Sequence, residues 1–165
     1  APERALAQIS REWMLKTLEV NSIGPIMLTQ ALEPLLKSKN RPVASMTSSS
    51  PEGRPPSVVA SLSARVGSIN DNRLGGWYSY RVSKAALNMA TKNMALELKR
   101  SGILVVSLHP GTTETGLSEP FAKNVRPEKL FSPSFTVSQL LGVIGGLDER
   151  HTGGFYAWDG QPIEW

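Results

Sequence analysis

The chain has 165 residues, no cysteine and a formal net charge of +4, enough for one domain with a real core and too little for two. Without cysteine there is neither a disulfide framework nor a thiolate metal site. The scattered Lys and Arg form no basic stripe with interleaved aromatics, so nucleic acid is not an expected partner. No apolar run approaches the roughly 18 residues of a membrane span.

The N-terminal residues show no signal-peptide pattern, which leaves the cytoplasm and an organelle lumen such as a plastid open. Residues 2–38 read as helical, with Pro2 and Glu3 suited to a first turn and Ile9, Trp13, Leu18 and Ile23 roughly on one side. Gly24-Pro25 predicts a kink or break in that helix. Residues 39–56, rich in Ser and Pro and without apolar periodicity, read as a surface loop or insertion. "SVVASLSA" (57–64) reads as a buried strand. A turn-rich stretch follows, and then a helix over about 77–100 that is apolar on more than one side and should be covered on two faces. "ILVVSLHPG" (103–111) reads as a second buried strand ending in a Pro-Gly turn. Residues 135–147 form a further helical pattern, and 153–165 hold a last strand and tail.

Helices alternating with strands predict an α/β fold with a parallel sheet. In such sheets, sites lie beyond the carboxyl ends of the strands. Ser63, Ala64 and Gly67 follow the first strand, and His109, Pro110, Gly111, Thr112 and Thr113 follow or end the second. These two ends are where function is expected.

In "WYSYRVSKAALN" (77–88), Tyr80 and Lys84 are spaced i, i+4 and project from one face of the helix. A phenol ionises only near pH 10, and a nearby ammonium makes it a better proton donor to a carbonyl or acceptor from an alcohol. The pair alone also arises by chance on amphipathic helices, so its surroundings decide.

Those surroundings are an upstream "NSIGP" with Asn21, Ser83 just before Lys84, and "HPGTTET" after the next strand. Together they resemble the short-chain dehydrogenase/reductase family, and "SLSARVGSINDNRLGGWYSYRVSKAALN" with "FYAWDGQPIEW" resembles its C-factor-like and sniffer-like carbonyl reductase branch. The resemblance implies an NAD(P)-dependent oxidoreductase of the carbonyl reductase or alcohol dehydrogenase type, acting on a small carbonyl or alcohol substrate. Tyr80 would be the acid/base, Lys84 would lower its pKa and hold the nicotinamide ribose, and Asn21 would hold a water for proton supply. Pro110, Gly111, Thr113 and Thr115 would meet the cofactor. The family's substrate-orienting serine would fall on Ala64, three residues before Gly67. Ser63 stands one earlier and is nominated in its place, although adjacent strand residues point to opposite faces.

The family's glycine-rich dinucleotide turn has no counterpart in this sequence. The resemblance therefore implies the C-terminal, catalytic half (1–165) of a Rossmann-type doubly wound sheet, about three strands of seven. An uncovered edge of that sheet implies a homo-oligomer or a partner chain across it. The family's pairing of its Asn and Tyr helices with those of a second copy offers one such arrangement. The alternative is a non-enzymatic half-fold acting as an interaction subunit or signalling fragment. Substrate choice would rest on the loop at roughly 116–133, and the choice between NAD and NADP on residues this sequence lacks.

Overall fold

The computed structural model describes residues 3–37, 56–116, 118–119 and 125–165. The loop expected at 39–56 lies outside these residues except for Pro56. Helix α1 (Arg11–Leu18) starts at Ser10, whose hydroxyl accepts from the Trp13 N–H, a standard N-cap. It runs without a break through a π-helical turn (Glu19–Ile23) into α2 (Gly24–Leu36). The expected break at Gly24-Pro25 is therefore a widening of the helix one turn earlier. The cause is local: Pro25 donates no hydrogen bond, and the Gly24 N–H reaches back five residues to the Glu19 carbonyl. Wide turns of this kind often mark functional positions, and this one carries Asn21.

The sheet contains β1 (Ser57–Leu62), β2 (Ile103–His109) and β5 (Phe155–Ala157), all parallel in the order β1-β2-β5. Its register runs from Ser57 opposite Ile103 to Leu62 opposite Leu108. The helix α3 (Tyr78–Leu98) crosses over from β1 to β2. The core is built around β2, whose apolar run leaves Ile103, Leu104, Val105, Val106 and Leu108 essentially without exposure. Ile103 and Val105 pack on Ala95 and Leu98 of α3. Val106 and Leu108 pack on Leu140 of α4 (Pro133–Gly145) on the opposite face.

The strand β1, read from sequence as buried, is half-exposed over Ser57–Ala60, and Leu62 is 57% exposed. It lies at one end of the sheet, and no described strand pairs with its outer side. Hydrophobicity reports what a strand can bury, and among the described strands β1 pairs with β2 alone. The other sheet edge is covered, because the tail turns back so that the Ile163 N–H donates to Phe155 and the Ala157 N–H to Gln161. A second, two-stranded sheet pairs β3 (Thr112–Thr113) with β4 (Leu130–Phe131). It closes the base of the loop between them.

Candidate active site

Tyr80 sits in the first turn of α3, and the start of that helix is fixed from several sides. Gly75, Gly76 and Trp77 all take left-handed backbone conformations, with φ of 64°, 65° and 52°. The Glu3 carboxylate accepts from both the hydroxyl and the N–H of Ser79, which caps the helix and places a negative charge at its positive end. Burial pushes the Glu3 pKa up, but the Ser79 hydroxyl and backbone donors outweigh it, and the net shift is below the ordinary 4.5. The Trp77 N–H donates to the Glu3 carbonyl. Arg81 then joins two turns by donating to the Gly75 and Val66 carbonyls, each at 3.2 Å.

Lys84 lies one turn beyond Tyr80. It is only 9% exposed, its Nζ is 5.7 Å from the centre of the Tyr80 ring, and it donates to the Leu62 carbonyl at 2.8 Å. Burial lowers the Lys84 pKa. Burial likewise raises that of Tyr80, opposite to the direction the lysine was expected to impose. With the ammonium turned to Leu62, desolvation of the phenol dominates. A phenol held in its protonated form suits donation to a carbonyl oxygen.

The π turn aims two side chains at α3. Asn21 Nδ2 donates to the Ser83 hydroxyl at 3.0 Å, and the Ser22 hydroxyl donates to the Ser83 carbonyl at 2.7 Å. The Ser83 hydroxyl in turn donates to the Tyr80 carbonyl at 2.8 Å. Asn21 is thus joined through Ser83 to the residue expected to do the chemistry.

Ser63 is buried, and its hydroxyl donates to Asn88 Oδ1 at 2.6 Å. Asn88 Nδ2 completes the clasp on the Gly67 carbonyl at 3.4 Å. Gly67 needs to be glycine, since a Cβ there would meet the Lys84 Cβ at 2.6 Å. The turn after β1 therefore lies flat against the Lys84 stretch of α3. At the end of β2, Gly111 has φ of 75°, and a Cβ would strike the Phe131 ring at 2.7 Å and Trp158 at 3.0 Å. Beyond it, the Thr113 hydroxyl bonds Thr136 at 2.9 Å, and the Thr115 N–H donates to the Ser118 hydroxyl at 3.0 Å. His109 keeps a buried Nδ1 with no hydrogen-bond partner among the described residues, and burial pushes its pKa down to about 4.

Sequence reasoning gave Glu3 a place in a helical first turn, whereas the structure sets it ahead of α1 and against α3, and it did not single out Trp77 or Asn88. Asn88 stood in plain view, four residues after Lys84 on the same helical face. Nothing in the local pattern announces that Glu3 reaches a helix so far along the chain. Among the described residues no group of three or more His, Asp or Glu could hold a metal, and no helix is long and apolar enough to cross a membrane.

Residues 1–133 match a family model described as enoyl-(acyl carrier protein) reductase. The C-signal of Myxococcus xanthus is 35% identical over 98% of this chain and 84% of its own length. A 1-hydroxy-2-glutathionyl-2-methyl-3-butene dehydrogenase from a Rhodococcus strain is 33% identical over 91% of this chain and 58% of its own length. Among solved structures, the carbonyl reductase Sniffer of D. melanogaster superposes with a TM-score of 0.82 at 34% identity, covering 99% of this chain. The NADPH-bound carbonyl reductase from chicken fatty liver gives 0.79 at 29% identity. The chain spans 61% and 60% of the length of those two structures.

Proposed function

The chain belongs to the short-chain dehydrogenase/reductase family, and from that premise we propose that it carries the proton-transfer half of an NAD(P)-dependent carbonyl reductase or alcohol dehydrogenase. The observation that carries this reading is the buried Lys84 one turn from Tyr80, joined through Tyr80's own backbone to Ser83 and Asn21.

The residues present fit one end of a nicotinamide dinucleotide. Lys84 spends one of its three protons on Leu62 and keeps two for ribose hydroxyls. The Gly111 turn and the backbone near Thr113 offer polar groups beyond the end of β2, and Thr115 would meet the carboxamide or phosphates. The pyrophosphate and adenosine have no glycine-rich cradle in this sequence. NADPH is bound in the chicken carbonyl reductase, which supports a nicotinamide dinucleotide here, NADP or NAD.

The dinucleotide, when bound, supplies or accepts the hydride at the carbonyl carbon. Tyr80 gives its hydroxyl proton to the substrate oxygen as the carbonyl π bond opens, and takes it back in the reverse direction. Lys84 steadies the resulting phenolate by charge, and Asn21 holds the water from which the proton is restored. Ala64 stands where a substrate-orienting hydroxyl would be. Ser63 holds Asn88 against the turn after β1, and substrate orientation falls more heavily on Tyr80.

Exposed apolar side chains on α1 and α2 (Trp13, Leu28, Leu35) and on α3 (Met89, Leu96), with the open edge of β1, support a homo-oligomer or a partner chain in the working form. A second reading draws on the relative named C-signal: a half-fold that works by contact, as an interaction subunit or signalling fragment. Incubation with 4-deuterated NADPH and a ketone separates the two. Deuterium on the carbinol carbon, lost in Tyr80→Phe, supports the reductase. No transfer at saturating NADPH supports the second reading.

A further inference from the structure

A cavity of about 390 Å³ lies between α4 and the β5 end of the chain, within the size range of small-ligand sites. Strand alternation gives it two aromatic rings on one side. Tyr156 in β5 and Trp158 just after it both line the cavity and pack with Leu140 and Val143 of α4. The Tyr156 hydroxyl donates to the His151 carbonyl at 3.2 Å, which holds that ring in place. The chain then turns at Gly160, where φ is 80° and an added Cβ would lie 3.8 Å from the Val143 side chain. That turn brings the exposed Asp159 to the open side of the cavity.

Gly142 lines the cavity from the interior of α4, a place where glycine weakens a helix relative to alanine. An added Cβ there would meet nothing within 4 Å. No neighbour demands this glycine, and its effect is to keep the space open. Asp159 accepts from the Gln161 N–H at 3.2 Å and forms no ion pair among the described residues. No Lys or Arg lines the cavity, and His151, which does, already faces Asp148 at 2.8 Å. An unpaired carboxylate beside a Trp and a Tyr ring is a setting for an organic cation, because the ring faces carry negative potential.

We propose that this cavity binds a small quaternary ammonium compound, with the cation against Trp158 and Tyr156 and Asp159 as its counter-charge. A quaternary head has no N–H to satisfy, so two rings and one carboxylate suffice for it, whereas a primary ammonium needs three acceptors. The site is distinct from that of Tyr80, since α3 and α4 pack on opposite faces of the sheet. It stands independently of the reductase reading.

The test is titration of the purified chain with choline and, separately, with its uncharged carbon isostere dimethylbutanol, followed by amide shifts in NMR. Asp159→Asn keeps an acceptor for the Gln161 N–H and removes the charge. Gly142→Leu fills the cavity from a helical position that favours leucine over glycine. Thermal melting confirms that each variant is folded. Choline should bind saturably, shifting amides of α4 and of Phe155–Gly160, and its affinity should fall with added salt. The isostere should bind the wild-type chain at least about fivefold more weakly than choline, and Asp159→Asn should weaken choline binding by a similar factor. Gly142→Leu should abolish it. No choline binding by the wild-type chain, equal binding of the isostere, or choline affinity unchanged in either folded variant would each overturn the proposal. If Gly142→Leu does not fold, the isostere and Asp159→Asn decide the matter by the same criteria.

Discussion

The Lys84 ammonium donates to the carbonyl of Leu62 at 2.8 Å, tying the helix that carries Tyr80 to the last residue of the edge strand β1. A cation so placed costs stability, because burial lowers its pKa and, among the described residues, one acceptor answers its three protons. Lys84→Met exchanges the lost hydrogen bond, typically about 1 kcal/mol, for relief of that burial. Thermal melting should therefore stay within about 4 °C of wild type, while NADPH affinity falls at least tenfold. A large loss of stability would make Lys84 a structural residue.

The raised pKa of Tyr80 sets the direction of pH dependence. Carbonyl reduction needs the protonated phenol, so its rate should be flat through neutrality and fall only above about pH 10. Alcohol oxidation needs the phenolate and should climb over the same alkaline range. A pH–rate profile in both directions checks this. A reduction limb near neutrality would mean that Lys84 charge, and not burial, governs the phenol.

Asn88 clasps Ser63 and the Gly67 carbonyl to α3. Asn88→Ala leaves the buried Ser63 hydroxyl without its acceptor and should cost about 1–3 kcal/mol, read by urea unfolding. Asn88→Asp keeps a carboxylate oxygen for Ser63 but loses the donor to Gly67, and its melting point should fall between the two.

Glu3 joins the segment before α1 to the first turn of α3 through Ser79. Its folded pKa lies below 4.5, so the unfolded chain binds more protons as pH falls past that value. The stabilisation is therefore complete above about pH 4.5 and is lost as pH drops through the folded pKa. Glu3→Gln should be less stable than wild type at pH 7 by about 1 kcal/mol. The two proteins should converge in stability as the solution is acidified, followed by thermal melts from pH 7 to 3.

What the sequence displayed and what it hid follow from the range of the interactions involved. The α3 helix, the β2 strand and the Pro110-Gly111 turn were legible because local patterns determine them: a two-sided apolar helix, a continuous apolar run, a turn dipeptide. The Tyr80–Lys84 pair was legible as an i, i+4 spacing. The continuity of α1 into α2 was not, because a π turn arises from a single lost donor and leaves the apolar pattern intact. The exposure of β1 was not, because burial depends on what lies beside a strand. The burial that raises the Tyr80 pKa was not legible for a related reason, since spacing brings Lys84 near but does not say that its proton goes to Leu62. Glu3 at the head of α3 is a contact between distant parts of the chain, and no window of sequence contains both partners.

On the proposed function, this chain itself holds the nicotinamide end of a dinucleotide beside Tyr80. Titration of NADPH into the purified chain, followed by reduced-nicotinamide fluorescence with NADH in parallel, tests it most directly. Saturable binding is expected, weakened at least tenfold by Lys84→Ala and left nearly intact by Tyr80→Phe. Absence of binding at millimolar cofactor, or binding indifferent to Lys84, would contradict it.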